Sequence, residues 1–204
     1  MAKLPEPPSP LTTRPAVSIL RAGRRLWRIY FAGGTHAMTW RDYRFFGPTS
    51  ARFDHHDPPP RVQAKDILYA ASDAVTCLAE VFQATRVIDR SANAPWLVSF
   101  EIERDVALLD LMGSWPTRAG ASMAINSGPR PRARRWSQAI YAAYAAVEGL
   151  LYGSSMHANK PCVALYERAR AVLPAAPLFH RALADPALLL RLNGAATRIG
   201  YRLV

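Results

Sequence analysis

The sequence predicts an α+β fold in a single domain, and three observations lead there. Apolar residues alternate with a period of two in several short segments, most clearly at residues 96–103. Segments with helical spacing are few. No regular strand–helix–strand rhythm links them, which argues against a doubly wound parallel sheet. At 204 residues, 50% of them apolar, the chain is most simply one domain with room for a real core.

The elements follow in order. Residues 1–20 carry Pro5, Pro7, Pro8, Pro10 and Pro15 with few apolar anchors, and read as a flexible leader, extended or disordered, ahead of a domain over 21–204. A basic cluster from Arg21 to Arg25 enters residues 26–31, a strand of Leu-Trp-Arg-Ile-Tyr-Phe with Arg28 inside it. Residues 33–66 open with Gly33 and Gly34 and hold Pro48, Pro58, Pro59 and Pro60, so a long loop is expected, with Arg52 beside Phe53. Residues 67–71 form a short strand bearing Tyr69. It runs into a helix whose N-cap chemistry is Ser72-Asp73 and whose apolar body contains Glu80.

Strands are expected at 96–103 and 106–112, then a Gly-, Pro- and Ser-rich connection over 113–133 ending in Arg130, Arg132, Arg134 and Arg135. Trp136, Ile140, Tyr144 and Val147 recur at helical spacing and predict a helix over 136–151. The apolar segment 149–155 ends in the hydroxyls of Ser154 and Ser155, and 163–166 reads as a strand returning beside 150–152. The tail, 186–204, is helical and basic, suited to closing the sheet or packing on a partner.

Composition narrows the function classes. Lys and Arg total 26 against 15 acidic residues, a formal net charge of +11, which favours anionic partners: nucleic acid, phosphorylated small molecules or an acidic protein. An arginine-rich genomic composition gives the same balance, so charge alone selects no ligand. Cys77 and Cys162 lie in apolar segments and read as buried reduced thiols, with no disulfide framework. No stretch reaches about 18 uninterrupted apolar residues, and the N-terminus lacks a signal peptide's apolar core, so a cytoplasmic protein is expected.

Glu80 is the sharpest candidate. A carboxylate in an apolar helix must be paired or lose several kcal/mol, roughly, to desolvation. An internal ion pair and a functional site both meet that demand. Arg28 gains weight because it interrupts an apolar strand. Tyr69 serves packing as readily as ligand stacking. Of Ser154 and Ser155, only one faces a cleft if the strand continues. His55, His56 and Asp57 suggest a metal, but adjacent ligands do not converge on one ion and no third ligand follows at zinc spacing. They read as a solvated loop, with His56, or His55, kept as a residue that orients a nucleotide or an acceptor. There is no Gly-x-Gly-x-x-Gly after a strand and no Gly-x-Ser-x-Gly, which disfavours a Rossmann nucleotide site and a hydrolase nucleophile elbow.

Taken in order, Arg28 or Arg52, Tyr69 to Glu80, and Tyr152-Gly153-Ser154 followed by residues 161–168 resemble the RES family, named for its Arg, Glu and Ser, the toxin halves of bacterial toxin–antitoxin pairs. The resemblance spans residues 24–170. Around Arg52 this chain has Ser-Ala-Arg-Phe-Asp where many relatives carry a Gly-Arg-Trp-Asn type of segment, and a longer Pro-rich loop follows. The resemblance implies an ADP-ribosyltransferase-like split mixed β-sheet with flanking helices. It implies a cleft that takes NAD as substrate, without a metal, and breaks the nicotinamide–ribose bond. Glu80, Arg28 and Tyr69 would be catalytic; Arg52, Ser154 and His56 would bind the dinucleotide. The ADP-ribose acceptor, whether water, phosphate or a target protein, stays open. The resemblance further implies a cognate antitoxin, DNA-binding and inhibitory, with nucleic acid reached only through it. The chain's positive charge and the need to silence such an enzyme lead to the expectation that this inhibitor covers the cleft around Arg52, Tyr69 and Ser154, and no membrane partner is expected. The alternative is a non-enzymatic nucleic-acid-binding module built on Arg130, Arg132, Arg134 and Arg135.

Overall fold

Among the described residues of the computed structural model, 3–204, the chain runs β1 (Val17–Leu20), β2 (Arg25–Phe31), β3 (Arg44–Gly47), β4 (Arg61–Ala71), α1 (Ala74–Val81), β5 (Val87–Ile88), β6 (Pro95–Glu101), β7 (Val106–Asp110), α2 (Trp115–Arg118), α3 (Arg130–Ala143), β8 (Gly149–Gly153), β9 (Pro161–Tyr166), β10 (Phe179–Ala182), α4 (Leu189–Ile199) and β11 (Arg202–Leu203). Most strands join one mixed sheet of order β1-β7-β8-β9-β4-β2-β6-β10, with β3 on the side of β4. The β7–β8 pair is parallel and its neighbours are antiparallel. The expected α+β class and mixed sheet are what the structure has. Among the described residues no helix is long and apolar enough to cross a membrane.

Period-two alternation decides which side each residue faces. Along β9, Cys162, Ala164 and Tyr166 enter one core with Trp136, Ile140 and Leu78 of the helices, while Val163 and Leu165 enter a second core with Trp40, Tyr43 and Val172. Ile67 and Ala71 of β4, with Tyr69 between them, belong to the helical side, and Leu68 and Ala70 to the other. A strand apolar on both faces must be covered on both, as these are.

The sheet is split at its centre. β2 and β4 pair only at Trp27 and Ala71. β2 then follows β6 through Phe31, opposite Pro95, while the free side of β4 is taken by β3 at Arg44–Ile67 and Phe46–Val62. The strands therefore diverge beyond that single pairing, and the gap between them is the entrance to the site.

Several expectations change. Residues 33–66 hold β3 and the first half of β4. The helix expected over 136–151 starts earlier, at Arg130 behind Pro129, and stops at Ala143, because Gly149–Gly153 is claimed as a strand by pairing with both β7 and β9. The Pro-rich leader is extended but docked: Leu4 and Leu11 are buried, Trp136 Nε1 donates to the Pro5 carbonyl at 2.8 Å, and Arg135 holds Glu6 at 2.6 and 2.7 Å. The tail forms α4 and a separate two-stranded sheet of β11 with β5, and Tyr201 Oη donates to the Ala79 carbonyl at 3.0 Å, bracing α1 from behind.

Candidate active site

A cavity of about 430 Å³ opens where β2 and β4 part, a size suited to a nucleotide-like ligand, about 300–1,000 Å³ for such sites. Arg28, Ile29 and Phe31 of β2 line one wall and Ile67 and Tyr69 of β4 the other. Glu80, Val81 and Gln83 come from α1 and its end, Arg44, Ser50 and Arg52 from β3 and the following loop, Asn126 from the 3-10 turn before α3, Arg130 from the start of α3, Tyr152 from β8 and Ser155 from just beyond it.

Glu80 is there because α1 is one-sided. Asp73 caps the helix by accepting from Thr76 N at 2.8 Å, and the turn that follows buries Thr76 to Ala79. Glu80 is thereby turned toward the cavity and is part-exposed rather than sealed in the core. Among the described residues it makes no ion pair. Its carboxylate is held by Ser154, whose Oγ donates to Oε1 at 2.5 Å. Ser154 is itself buried and accepts from Met156 N at 3.2 Å and His157 N at 3.0 Å, so its proton and lone pairs are committed. Ser155, not Ser154, faces the cavity. Ser154, which the sequence reading gave to the dinucleotide, here holds Glu80.

Four arginines line the cavity: Arg28, Arg44, Arg52 and Arg130. Arg28 shares its face of β2 with Leu26 and Tyr30 and reaches the cavity through the split; Nη1 donates to the Trp40 carbonyl at 2.9 Å, and burial pushes the guanidinium down to about 10. Arg52 is half-buried, donates from Nη1 to the Gly128 carbonyl at 2.5 Å, and is lowered by burial and by the neighbouring charge of Arg130. Arg44 is neutralised by Asp54, 2.9 Å away. Among the described residues, Arg28, Arg52 and Arg130 have no carboxylate partner. The cavity thus combines an excess of fixed positive charge with one positioned carboxylate, a setting for an anionic ligand that develops positive charge at one atom.

Tyr69 lines the cavity with its hydroxyl buried and unpartnered, and burial drives that phenol far above its ordinary value. Tyr152 packs against Phe53 in a tilted pair with ring centroids 4.8 Å apart.

His56 is outside this group. It does not line the cavity; its side chain is fully buried with Nδ1 2.5 Å from Asp54 Oδ1. A Cβ at residue 47 would lie 2.6 Å from that Nδ1, so only glycine lets β3 lie this close to the imidazole. His55 is equally buried, stacks on Tyr141 at 4.4 Å, and is pushed down to about 3 chiefly by burial. The solvated loop expected at 55–56 is instead core, because flanking Phe53 and Asp54 are drawn inward with it. Among the described residues no group of three His, Cys, Asp or Glu side chains is arranged to hold a metal.

Arg44, Gln83, Asn126, Arg130 and Tyr152 were not singled out for the cleft from sequence. Gln83 had a usable signal, since it lies one turn from Glu80. The basic run at 130–135 does not form one surface patch: Arg130 enters the cavity, while Arg132 and Arg135 pair with Glu6 at 3.0 and 2.6 Å. That splits the patch on which a nucleic-acid-binding reading rested.

Comparison with known proteins agrees with this geometry. The family model of the RES domain matches residues 25–185. The chain belongs to the RES domain family. This RES domain also resembles a chain of the crystal structure of the M. tuberculosis MbcT–MbcA toxin–antitoxin complex, at 18% identity and TM-score 0.56, over 86% of this chain and 92% of that one, a likeness of fold. A search of curated proteins finds no match. The match leaves out the docked leader and the α4–β11 tail, so this RES domain is flanked by segments that brace α3 and α1.

Proposed function

We propose that the protein is the toxin of a toxin–antitoxin pair and that its cleft cleaves the nicotinamide–ribose bond of NAD. The observation that carries this reading is Glu80, a carboxylate without an ion-pair partner among the described residues, fixed by Ser154 and facing a cavity that Arg28, Arg44, Arg52 and Arg130 also line. RES membership and the likeness to a toxin–antitoxin complex support it.

The chemistry asks for these groups. When the C–N bond breaks, its electron pair leaves with nicotinamide and neutralises the pyridinium charge, and the ribose becomes oxocarbenium-like. Glu80 stabilises that developing charge and accepts from ribose hydroxyls. Arg28 and Arg52 hold the pyrophosphate, for which a planar guanidinium suits better than an ammonium. Tyr69 packs on the nicotinamide end and excludes water from the leaving group. The bond to the ribose is then completed by an acceptor: water, phosphate or a side chain of a target protein.

A cytoplasmic enzyme that consumes NAD needs restraint, and a cognate antitoxin supplies it. An acidic segment suits the cavity electrostatically. The test incubates purified protein with NAD in buffer alone, with phosphate and with cell extract. Free nicotinamide with ADP-ribose, with a phosphorylated ribose product, or with a labelled protein band names the acceptor, and no nicotinamide release under any condition refutes the reading. Rescue of growth and a stable complex on co-expression with the neighbouring reading frame would establish the partner.

A further inference from the structure

We propose that Gln83 and Arg130 act together as positioning residues that set the orientation of the Glu80 carboxylate, an inference that rests on the reading of Glu80 given above. Arg130 Nη2 donates to Gln83 Oε1 at 2.6 Å. A guanidinium only donates, so the oxygen end of the Gln83 amide must face Arg130 and its NH2 must point the other way. That NH2 donates to the Glu80 carbonyl at 2.6 Å and lies 3.5 Å from Glu80 Oε2. The second contact is long, as catalytic hydrogen bonds commonly are before substrate draws the site together.

The outcome is a carboxylate held at Oε1 and faced at Oε2 by different parts of the fold. Ser154, at the end of β8, takes Oε1, and Gln83, oriented from α3, faces Oε2. A misplacement of about 1 Å at a reacting group loses roughly 100-fold in rate, so such a grip has a catalytic effect. The interposed amide also solves an electrostatic problem. Arg130 bonded directly to Glu80 would neutralise the charge that the oxocarbenium-like state requires, whereas bonded through a neutral amide it orients the carboxylate and leaves its charge free.

The experiment measures steady-state kcat and KM for NAD cleavage in the parent, Gln83→Met, Gln83→Glu, Arg130→Met and the Gln83→Met/Arg130→Met double variant. Gln83→Glu is the decisive case: it keeps a partner for Arg130 and the shape of the side chain, but presents oxygen instead of a donor to Glu80. Both Gln83 variants are expected to lose about 10- to 100-fold in kcat with KM within about threefold, and the double variant to lose no more kcat than the worse single one. Parent-like kcat in Gln83→Glu, or losses that multiply in the double variant, overturns the relay while leaving the NAD reading intact. A folded parent that releases no nicotinamide overturns both.

Discussion

Ser154 Oγ reaches Glu80 Oε1 across 74 positions of sequence, tying the end of β8 to α1 at the mouth of the cavity. The serine holds the carboxylate, and the two residues form one hydrogen-bonded unit. Variants of either should therefore act on the chemical step more than on binding.

Glu80→Gln is expected to fold, since an amide oxygen still accepts from Ser154, and to lose at least about 100-fold in kcat, in line with roughly 10²–10³ for one preorganised electrostatic group. Ser154→Ala leaves the charge but frees its rotation, so a smaller loss, about tenfold, is expected. Nicotinamide release and thermal melting read both, and undiminished turnover by a folded Glu80→Gln protein would sink the assignment.

Arg28→Lys and Arg52→Lys keep the charge and lose the fork. Each is expected to raise the KM for NAD about tenfold or more, the scale of one charge-assisted hydrogen bond at about 1.5–3 kcal/mol. Arg28 adds a second expectation. Among the described residues it is a buried cation without a carboxylate partner, lowered to about 10, so Arg28→Leu should melt no lower than the parent while losing NAD binding. A clear drop in melting temperature with NAD affinity retained would make Arg28 structural.

Much of this was legible in the sequence for identifiable reasons. Residues 26–31 and 67–71 are too apolar to be anything but core strands, and Glu80 was conspicuous because its neighbours Cys77, Leu78 and Ala79 are buried. What was not legible depends on long-range closure. Arg44 reaches the cavity through the pairing of β3 with β4, and Asn126 is placed by its hydrogen bond to the Leu111 carbonyl, neither of which has a local signature. The same reason hid the burial of His56: nothing local says that Asp54 will turn inward to receive it.

Asp54 predicts a pH dependence. Burial alone would raise its carboxyl, but the His56 hydrogen bond, the Arg44 charge and donors from Thr49 outweigh it and hold it well below the usual range. A folded-state value below the unfolded 3.8 means that its stabilisation is present above that pH and is lost as pH falls through and beneath it. The parent's melting temperature should therefore fall steeply on acidification below about pH 4. Asp54→Asn should be less stable at neutral pH by about 3–5 kcal/mol, the scale of a broken buried pair, and should show a flatter acid limb. An unchanged acid limb in Asp54→Asn would assign the acid sensitivity to other carboxylates.

The leader gives the last prediction. Besides hydrogen bonds from α3 to its carbonyls, the leader is held by the buried side chains of Leu4 and Leu11 and by the exposed Glu6 pairs with Arg132 and Arg135. Exposed ion pairs contribute little, since solvent screens them and two long side chains must be fixed to make them, so Glu6→Ala should leave the melting temperature close to the parent's. Buried leucine truncations cost about 2–5 kcal/mol, so Leu4→Ala and Leu11→Ala should each lower it clearly. Leu4 carries a further consequence. It lies against Gly128, whose carbonyl receives Arg52, and the Leu4 carbonyl accepts from Arg132 at 3.0 Å, two residues from Arg130. Loosening Leu4 therefore loosens the wall that carries Arg52 and Arg130, and Leu4→Ala should raise the KM for NAD more than Leu11→Ala does at equal loss of stability. Equal effects of the two on KM would mean that the leader stabilises the domain without shaping the cleft.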